Sequence, residues 1–217
     1  MHPAAALDLL FMRRALALAQ AQLGRTAPNP AVGCVIVAEG VVVGEGATGD
    51  GGRPHAEERA LAQAGALAAG ACAYVTLEPC ARRSAGGAGC AERLIAAGIQ
   101  RLVVSAHDPH PNAAGAGLAL ARRAGLDAET GLAKEAGEAL VAGFAHRVRT
   151  GRPLAEISSD PTGFDAPFLP EPGETVSAAL DRLGRAGFCR VYAAPESAAA
   201  SGLEAWLRSG GALHIRS

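Results

Sequence analysis

From residue 5 to residue 23, Leu9, Leu10, Met12, Ala15, Leu16 and Ala19 recur at helical spacing, with Arg13, Arg14 and Gln20 on other faces. This pattern predicts an amphipathic helix. Pro28-Asn29-Pro30 then breaks the chain, since each proline removes a donor and biases its predecessor toward extended backbone. The unbroken apolar run Val32–Val37 predicts a central strand, Glu39-Gly40 a turn, and Val41–Gly44 the returning strand. A helix over 56–69, a strand over 73–77, a helix over 90–97 and a strand over 101–105 follow. Two more helices, around 114–124 and over 132–148, complete this part. Helices alternating with apolar strands after an opening hairpin indicate an α/β protein whose mixed sheet is covered on both faces.

The character changes near Thr150. Residues 150–173 hold Pro153, Pro161, Pro167, Pro170 and Pro172 among glycines and acidic residues, and predict a Pro/Gly-rich linker. Residues 174–217 predict a helix over 175–186, a strand over 189–193, a helix over 198–209 and a last strand over 213–216. That is too little for an independent α/β domain, so this unit is expected to pack on residues 1–149 or on a second subunit.

A net charge of −1 provides no field that would favour nucleic acid or an anionic membrane. No apolar run is long enough to span a bilayer, and the first residues lack a signal-peptide pattern. Five cysteines, an odd number, argue against a disulfide scaffold and for a reducing cytoplasm. Cys34, Cys72 and Cys189 lie among apolar residues and are expected to be small buried side chains.

The chemistry concentrates between His55 and Cys90. Pro54-His55-Ala56-Glu57, Glu78-Pro79-Cys80 and Cys90 supply one imidazole, two thiols and a carboxylate two residues from the imidazole. A hydrolytic zinc site needs these parts: three ligands, a fourth position left for water, and a carboxylate that moves protons without binding the metal. His55 and Glu57 can share a partner at a helix start, which Pro54 marks. Cys90 opens another predicted helix, where a thiol ionises more readily. Cys72 is the one further thiol nearby, but it sits at the far end of the 73–77 strand from Cys80. The open site is therefore preferred over a four-ligand structural knot.

Other stretches are less specific. Gly44-Glu45-Gly46-Ala47-Thr48-Gly49 spells a dinucleotide fingerprint, yet more glycines and a Pro stand where its helix would begin. It reads instead as the exit of a hairpin strand over the site. His107 and His110 follow a predicted strand end, where substrate contacts collect, although a turn explains the same residues. Arg82 and Arg83 lie between the two site cysteines and suit a phosphate clamp as well as solvated charge. His146 and His214 are expected at the surface.

Taken together, these stretches resemble the deaminase domain of the bifunctional riboflavin-biosynthesis deaminase/reductase family. Met12-Arg13-Arg14-Ala15-Leu16, Pro28-Asn29-Pro30-Ala31-Val32-Gly33, Tyr74–Cys80, Asp108-Pro109, Ala142-Gly143-Phe144 and Thr150-Gly151-Arg152-Pro153 carry the resemblance over residues 10–153. It implies a three-layer α/β/α cytidine-deaminase-like fold, zinc on His55, Cys80 and Cys90, proton transfer by Glu57, and substrate contact from Asn29. Three positions depart from the family pattern. Thr48 stands in place of a His, the Cys80–Cys90 loop is one residue longer and lacks prolines, and His110 replaces an Asn after Asp108-Pro109. All three lie on the substrate side. Residues 174–209 faintly resemble a late helix-strand-helix of the reductase domain, with Ala193-Ala194-Pro195 in place of a Glu-Gly-Gly. That implies a remnant without reductase activity.

The reading is a zinc-dependent hydrolytic deaminase of an aminopyrimidine ribotide, the diaminohydroxyphosphoribosylaminopyrimidine of riboflavin synthesis. Substrate contacts are expected from Asn29, Thr48, Arg82, Arg83, Asp108 and His110. A homo-oligomer and a separate reductase partner are also expected, with no nucleic-acid or membrane partner. The alternatives are a deaminase of another base or nucleotide, guanine- or cytidine-like, and a non-catalytic zinc-stabilised scaffold.

Overall fold

Helix α1 (Pro3–Gln20) forms where the apolar spacing predicts it, and its buried stripe of Phe11, Met12 and Ala15 covers one face of a sheet. The computed structural model describes residues 3–82, 86–110 and 113–209. Strands β1 (Gly33–Ala38) and β2 (Val41–Ala47) form the hairpin, joined by Glu39-Gly40, both at positive φ. That geometry matches the right-handed twist of paired strands. Next come α2 (Ala56–Ala64), β3 (Cys72–Leu77), α3 (Cys90–Ala96), β4 (Arg101–Ala106), α4 (Ala116–Arg123), β5 (Asp127–Thr130) and α5 (Lys134–Thr150).

The five strands are ordered β2-β1-β3-β4-β5, antiparallel on either side of β1 and parallel from β3 to β5. Side chains alternate across this sheet as a two-residue period requires. Cys34, Ile36, Val75, Leu102 and Val104 face a core shared with α2, α3 and α4, whereas Val35, Val37, Tyr74 and Val103 face α1. Helix α5 lies on the α1 side, and its Gly137 has no room for a Cβ over Ser105 of β4. The result is the expected three-layer mixed α/β arrangement.

Charged groups pin α1 to this sheet. Asp8 takes two 2.8 Å bonds from the Arg101 guanidinium and a third from the Tyr74 hydroxyl, and Arg101 also reaches Glu129 at 2.9 Å. One helix and three strands thereby meet at a largely buried carboxylate.

Beyond α5 a second sheet forms. Strands β6 (Leu154–Ile157), β7 (Ala166–Pro167) and β8 (Arg190–Ala193) pair in the parallel order β6-β8-β7, covered by α6 (Val176–Arg185) and α7 (Ala198–Arg208). Phe168, Leu180, Leu183, Val191 and Leu203 form its core. Thr175 and Ser197 start the two helices by accepting the amides of Ala178 and Ala200 through their side-chain oxygens.

Several expectations need correction. Residues 150–173, expected as a linker, contribute β6 and β7, and both pair with β8 from later in the chain. Strand β2 continues past Gly44 to Ala47 because α2 packs directly on it: a Cβ on Gly46 would stand 2.5 Å from the Arg59 Cβ. Strand β5 was not foreseen, since Ala128 is its one buried residue. The expected 56–69 helix ends at Ala64, and Gly65 at positive φ begins a short 3-10 turn. His146, expected at the surface, is 7% exposed because α5 is covered from both sheets. Cys34 and Cys189 are buried as expected, while Cys72 is half-buried against Arg101. The 213–216 strand and His214 lie outside the described residues. Among the described residues no helix is long and apolar enough to cross a membrane.

Candidate active site

The turn before α2 presents His55 as the helix N-cap, and its backbone N–H donates to the Glu58 carboxylate at 2.9 Å. Glu57 therefore falls in the first helical turn, 3% exposed and facing inward. Cys80 follows β3 after Glu78-Pro79, and Cys90 is the first residue of α3 behind Gly89. Gly89 admits no side chain: a Cβ there would lie 2.6 Å from the Cys80 carbonyl oxygen. This close approach brings the start of α3 onto the end of β3.

The His55, Cys80 and Cys90 donor atoms lie within 4.8 Å of one another, and they form the one such cluster among the described residues. His55 Nδ1 is 3.1 Å from the Cys90 sulfur and 3.9 Å from the Cys80 sulfur. A tetrahedral zinc with ordinary bond lengths separates N and S ligands by about 3.5 Å. The observed distances bracket that value, so the donor set fits the metal.

Protons are shared unequally across this cluster. The Cys80 thiol is pulled down to about 4, first by the hydrogen bond from the Cys90 thiol and also by bonds from His55 and the Cys90 amide, whose N is 3.3 Å away. Cys90 is pushed up as the donor to Cys80, with burial and the nearby Glu57 charge adding to the effect. The amide at the start of α3 donates to Cys80 and adds to the lowering of that thiol. Burial raises the Glu57 carboxyl, although the His55 and Cys90 side chains act the other way.

His55, Glu57 and Cys80 line a cavity of about 690 Å³, with Cys90 buried behind them. Asn29, Thr48, Arg82, Asp108 and His110 all line it, so it gathers every predicted substrate contact except Arg83, which lies outside the described residues. The Thr48 hydroxyl is already engaged, accepting the Val32 amide at 3.0 Å. Burial raises the Asp108 carboxyl, whose Oδ1 accepts the His110 amide at 2.8 Å. His107 does not line this cavity. Its Nδ1 lies 3.2 Å from Glu78, and the ring faces a second cavity of about 430 Å³ bounded by α5.

Sequence reasoning missed three contributors. Arg53 and Phe144 also line the main cavity. Arg53 directly precedes the Pro54-His55 start, and Phe144 lay in a stretch quoted only for its resemblance. The third is Glu78. Its buried carboxylate accepts the amides of Gly115 and Gly117 at 2.9 Å and Leu118 at 3.2 Å, with the Asp108 amide at 3.5 Å. It ties the start of α4 to the loop that carries Cys80. Gly117 sits so close that a Cβ would run into the Pro79 carbonyl oxygen.

Comparison with known proteins agrees with this geometry. Residues 6–106 match the family model of the cytidine and deoxycytidylate deaminase zinc-binding region. The riboflavin biosynthesis protein RibD of Escherichia coli is 49% identical over 150 residues, 69% of this chain and 41% of that protein. The chain thus spans about two fifths of the length of the curated RibD relatives it matches. A solved deaminase/reductase from Thermotoga maritima superposes with a TM-score of 0.80 at 21% identity, over 95% of this chain and 85% of the other. That span cannot be contained in the first 150 residues, so the fold likeness extends into the second sheet. The diaminohydroxyphosphoribosylamino-pyrimidine deaminase of Buchnera aphidicola is 42% identical over 146 residues, 67% of this chain and 99% of that protein. Matched along nearly the whole of that relative, this chain belongs to the riboflavin-biosynthesis deaminase family.

Proposed function

We propose that the chain is a zinc-dependent hydrolytic deaminase acting on diaminohydroxyphosphoribosylaminopyrimidine. The observation that carries this reading is the convergence of His55, Cys80 and Cys90 beside a buried Glu57, with His55, Cys80 and Glu57 on the wall of one cavity. The near-complete match to the Buchnera deaminase supports the choice of substrate. Zinc held by these three side chains supplies Lewis acidity and lowers the pKa of a water toward neutrality.

The chain's own residues do the rest. Glu57 accepts a proton as water adds to the ring carbon that bears the amine, and it delivers that proton to the adjacent ring nitrogen. It then takes the second proton from the added hydroxyl and passes it to the departing amine. The C–N bond breaks, ammonia leaves, and the ring keeps the oxygen as a carbonyl. Burial raises the Glu57 carboxyl above its ordinary value, a direction that suits a group passing a proton between two sites. Asn29, Asp108 and His110 face the same space and orient the ring, with Arg82 at its rim toward the ribose phosphate. Because this site is served by a carboxylate that binds no metal, a purely structural zinc reading is the weaker one.

The C-terminal sheet is read as a reductase-like remnant. Reduction of the deaminated product then belongs to a separate chain, and this protein works in the cytoplasm as a homo-oligomer.

The test is metal analysis of the purified protein together with ammonia release from the ribotide. About one zinc per chain and ammonia release are expected. Glu57→Gln should keep the metal and lower turnover by about 100-fold or more. Full activity in that variant would overturn the assignment.

A further inference from the structure

The loop that carries Asn29 into the cavity is gripped from two sides. On the catalytic side, Gly51 N–H donates to the Arg25 carbonyl at 2.8 Å, and Arg25 pairs with Asp50 at 2.7 Å. Gly52 leaves no room there for a side chain, since a Cβ would stand 2.6 Å from the Asn29 Cβ. Within the loop, the Asn29 amide donates to the Thr26 carbonyl at 3.0 Å, and the Thr26 hydroxyl returns to the Asn29 carbonyl at 3.0 Å. The loop is therefore a turn closed on itself by two hydrogen bonds.

The other side of the grip comes from α5 and the second sheet. The Arg147 guanidinium donates to the Pro28 carbonyl at 2.7 Å, and the Cys189 thiol points at the same oxygen from 3.6 Å. Gly187 abuts the Pro28 ring, where a Cβ would come within 3.0 Å. Gly24 abuts the Phe164 backbone, with a Cβ there 2.5 Å from its carbonyl oxygen. The surface that makes these contacts is itself braced. Asp165 accepts the amides of Cys189 at 2.6 Å and Arg190 at 2.8 Å, which ties the 163–165 turn to the start of β8. At Gly143, α5 lies directly against Cys189 and Arg190.

We propose that the C-terminal sheet is a positioning device for the deaminase. Through Cys189 and the 163–165 turn, and together with Arg147 of the α5 helix it packs on, it sets the 24–30 loop and so places Asn29 against the substrate. Resting on the proposed deaminase activity, this assigns a task to a unit that shows no chemistry of its own. It also explains why so small a sheet packs its edge on the first domain: the contact surface includes the backbone next to a substrate-facing side chain.

The experiment uses the full chain. Arg147→Met removes the donor to Pro28 while keeping an apolar stem, Arg147→Lys restores a donor, and Asp165→Ala loosens the brace from the other side. Each is measured for KM, kcat, zinc content and amide hydrogen exchange at Asn29 and Gly51. Arg147→Met and Asp165→Ala should raise KM about fivefold with kcat changed by less than about twofold, as loss of one hydrogen bond in ground-state positioning predicts. Exchange at Asn29 and Gly51 should speed up about tenfold while the β1 and β3 amides stay protected. Arg147→Lys should recover most of both effects. Unchanged exchange at Asn29 in both variants would overturn the inference whether or not the ribotide is the substrate. So would faster exchange spread evenly over β1 and β3, which would mark a global loss of stability. Should the wild-type chain fail to deaminate, the functional reading falls and the exchange measurement still decides the positioning claim.

Discussion

Glu57, Glu78 and Gly117 show three ways in which one residue can matter here. Glu57 is the proposed proton carrier, Glu78 organises backbone, and Gly117 is an absence of side chain that lets α4 reach the Pro79 carbonyl. Gly117→Ala forces an overpacked contact, and it should lower stability by about 1–3 kcal/mol in denaturant unfolding. An alanine variant as stable as the parent would show that α4 can retreat at little cost. Cys80→Ala leaves two donors instead of three, so zinc stoichiometry after dialysis should fall well below one per chain. If the variant stays fully loaded, an unforeseen ligand must replace Cys80. At this scale the sequence was most informative where chemistry demanded a residue type. The His-x-Glu and the two cysteines were legible because few other roles require that combination at that spacing. Arg53, by contrast, carried no signal, since a lone arginine before a proline has many ordinary explanations.

Among the elements, α1 is held by charge as much as by apolar burial. Bonds from Arg101 chiefly, and also from Tyr74, hold the Asp8 carboxyl below its usual range. A carboxyl depressed in the folded state contributes stability that is fully present above its unfolded pKa of about 3.9 and is lost as pH falls through the folded value. Thermal melts between pH 6 and pH 2.5 should therefore show a steeper acid loss for the parent than for Asp8→Asn. Identical slopes would remove Asp8 from the account of acid stability. The elements also show why sequence patterns stopped short. Runs such as Val32–Val37 announce a central strand, because burial on both faces requires continuous apolar residues. Strand β5 buries one side chain and β7 has two residues, so neither leaves a periodic trace. Glycines 44 and 46 imitate a nucleotide motif in one dimension, whereas in three they are the floor on which α2 rests.

At the scale of the molecule, two sheets share one helix. Helix α5 touches β4 of the first sheet and β6 of the second. The two cores should then melt as a single transition in calorimetry, with agreeing calorimetric and van't Hoff enthalpies. Two resolved transitions would mean that the shared helix does not couple them. The proline content of residues 150–173 concealed this arrangement, because a proline at a strand end, such as Pro167, resembles a linker until its pairing partner, Tyr192, is known.

The Glu78 carboxylate lies on the cavity wall, and the His107 imidazole and the amides of Asp108, Gly115, Gly117 and Leu118 are moored to it. So firmly fastened, that bank of the vestibule has no slack to accommodate a bulkier heterocycle. Selectivity should then shift more readily at the exposed Arg82, and an engineer who wants new bases accepted should diversify that position and leave the mooring alone.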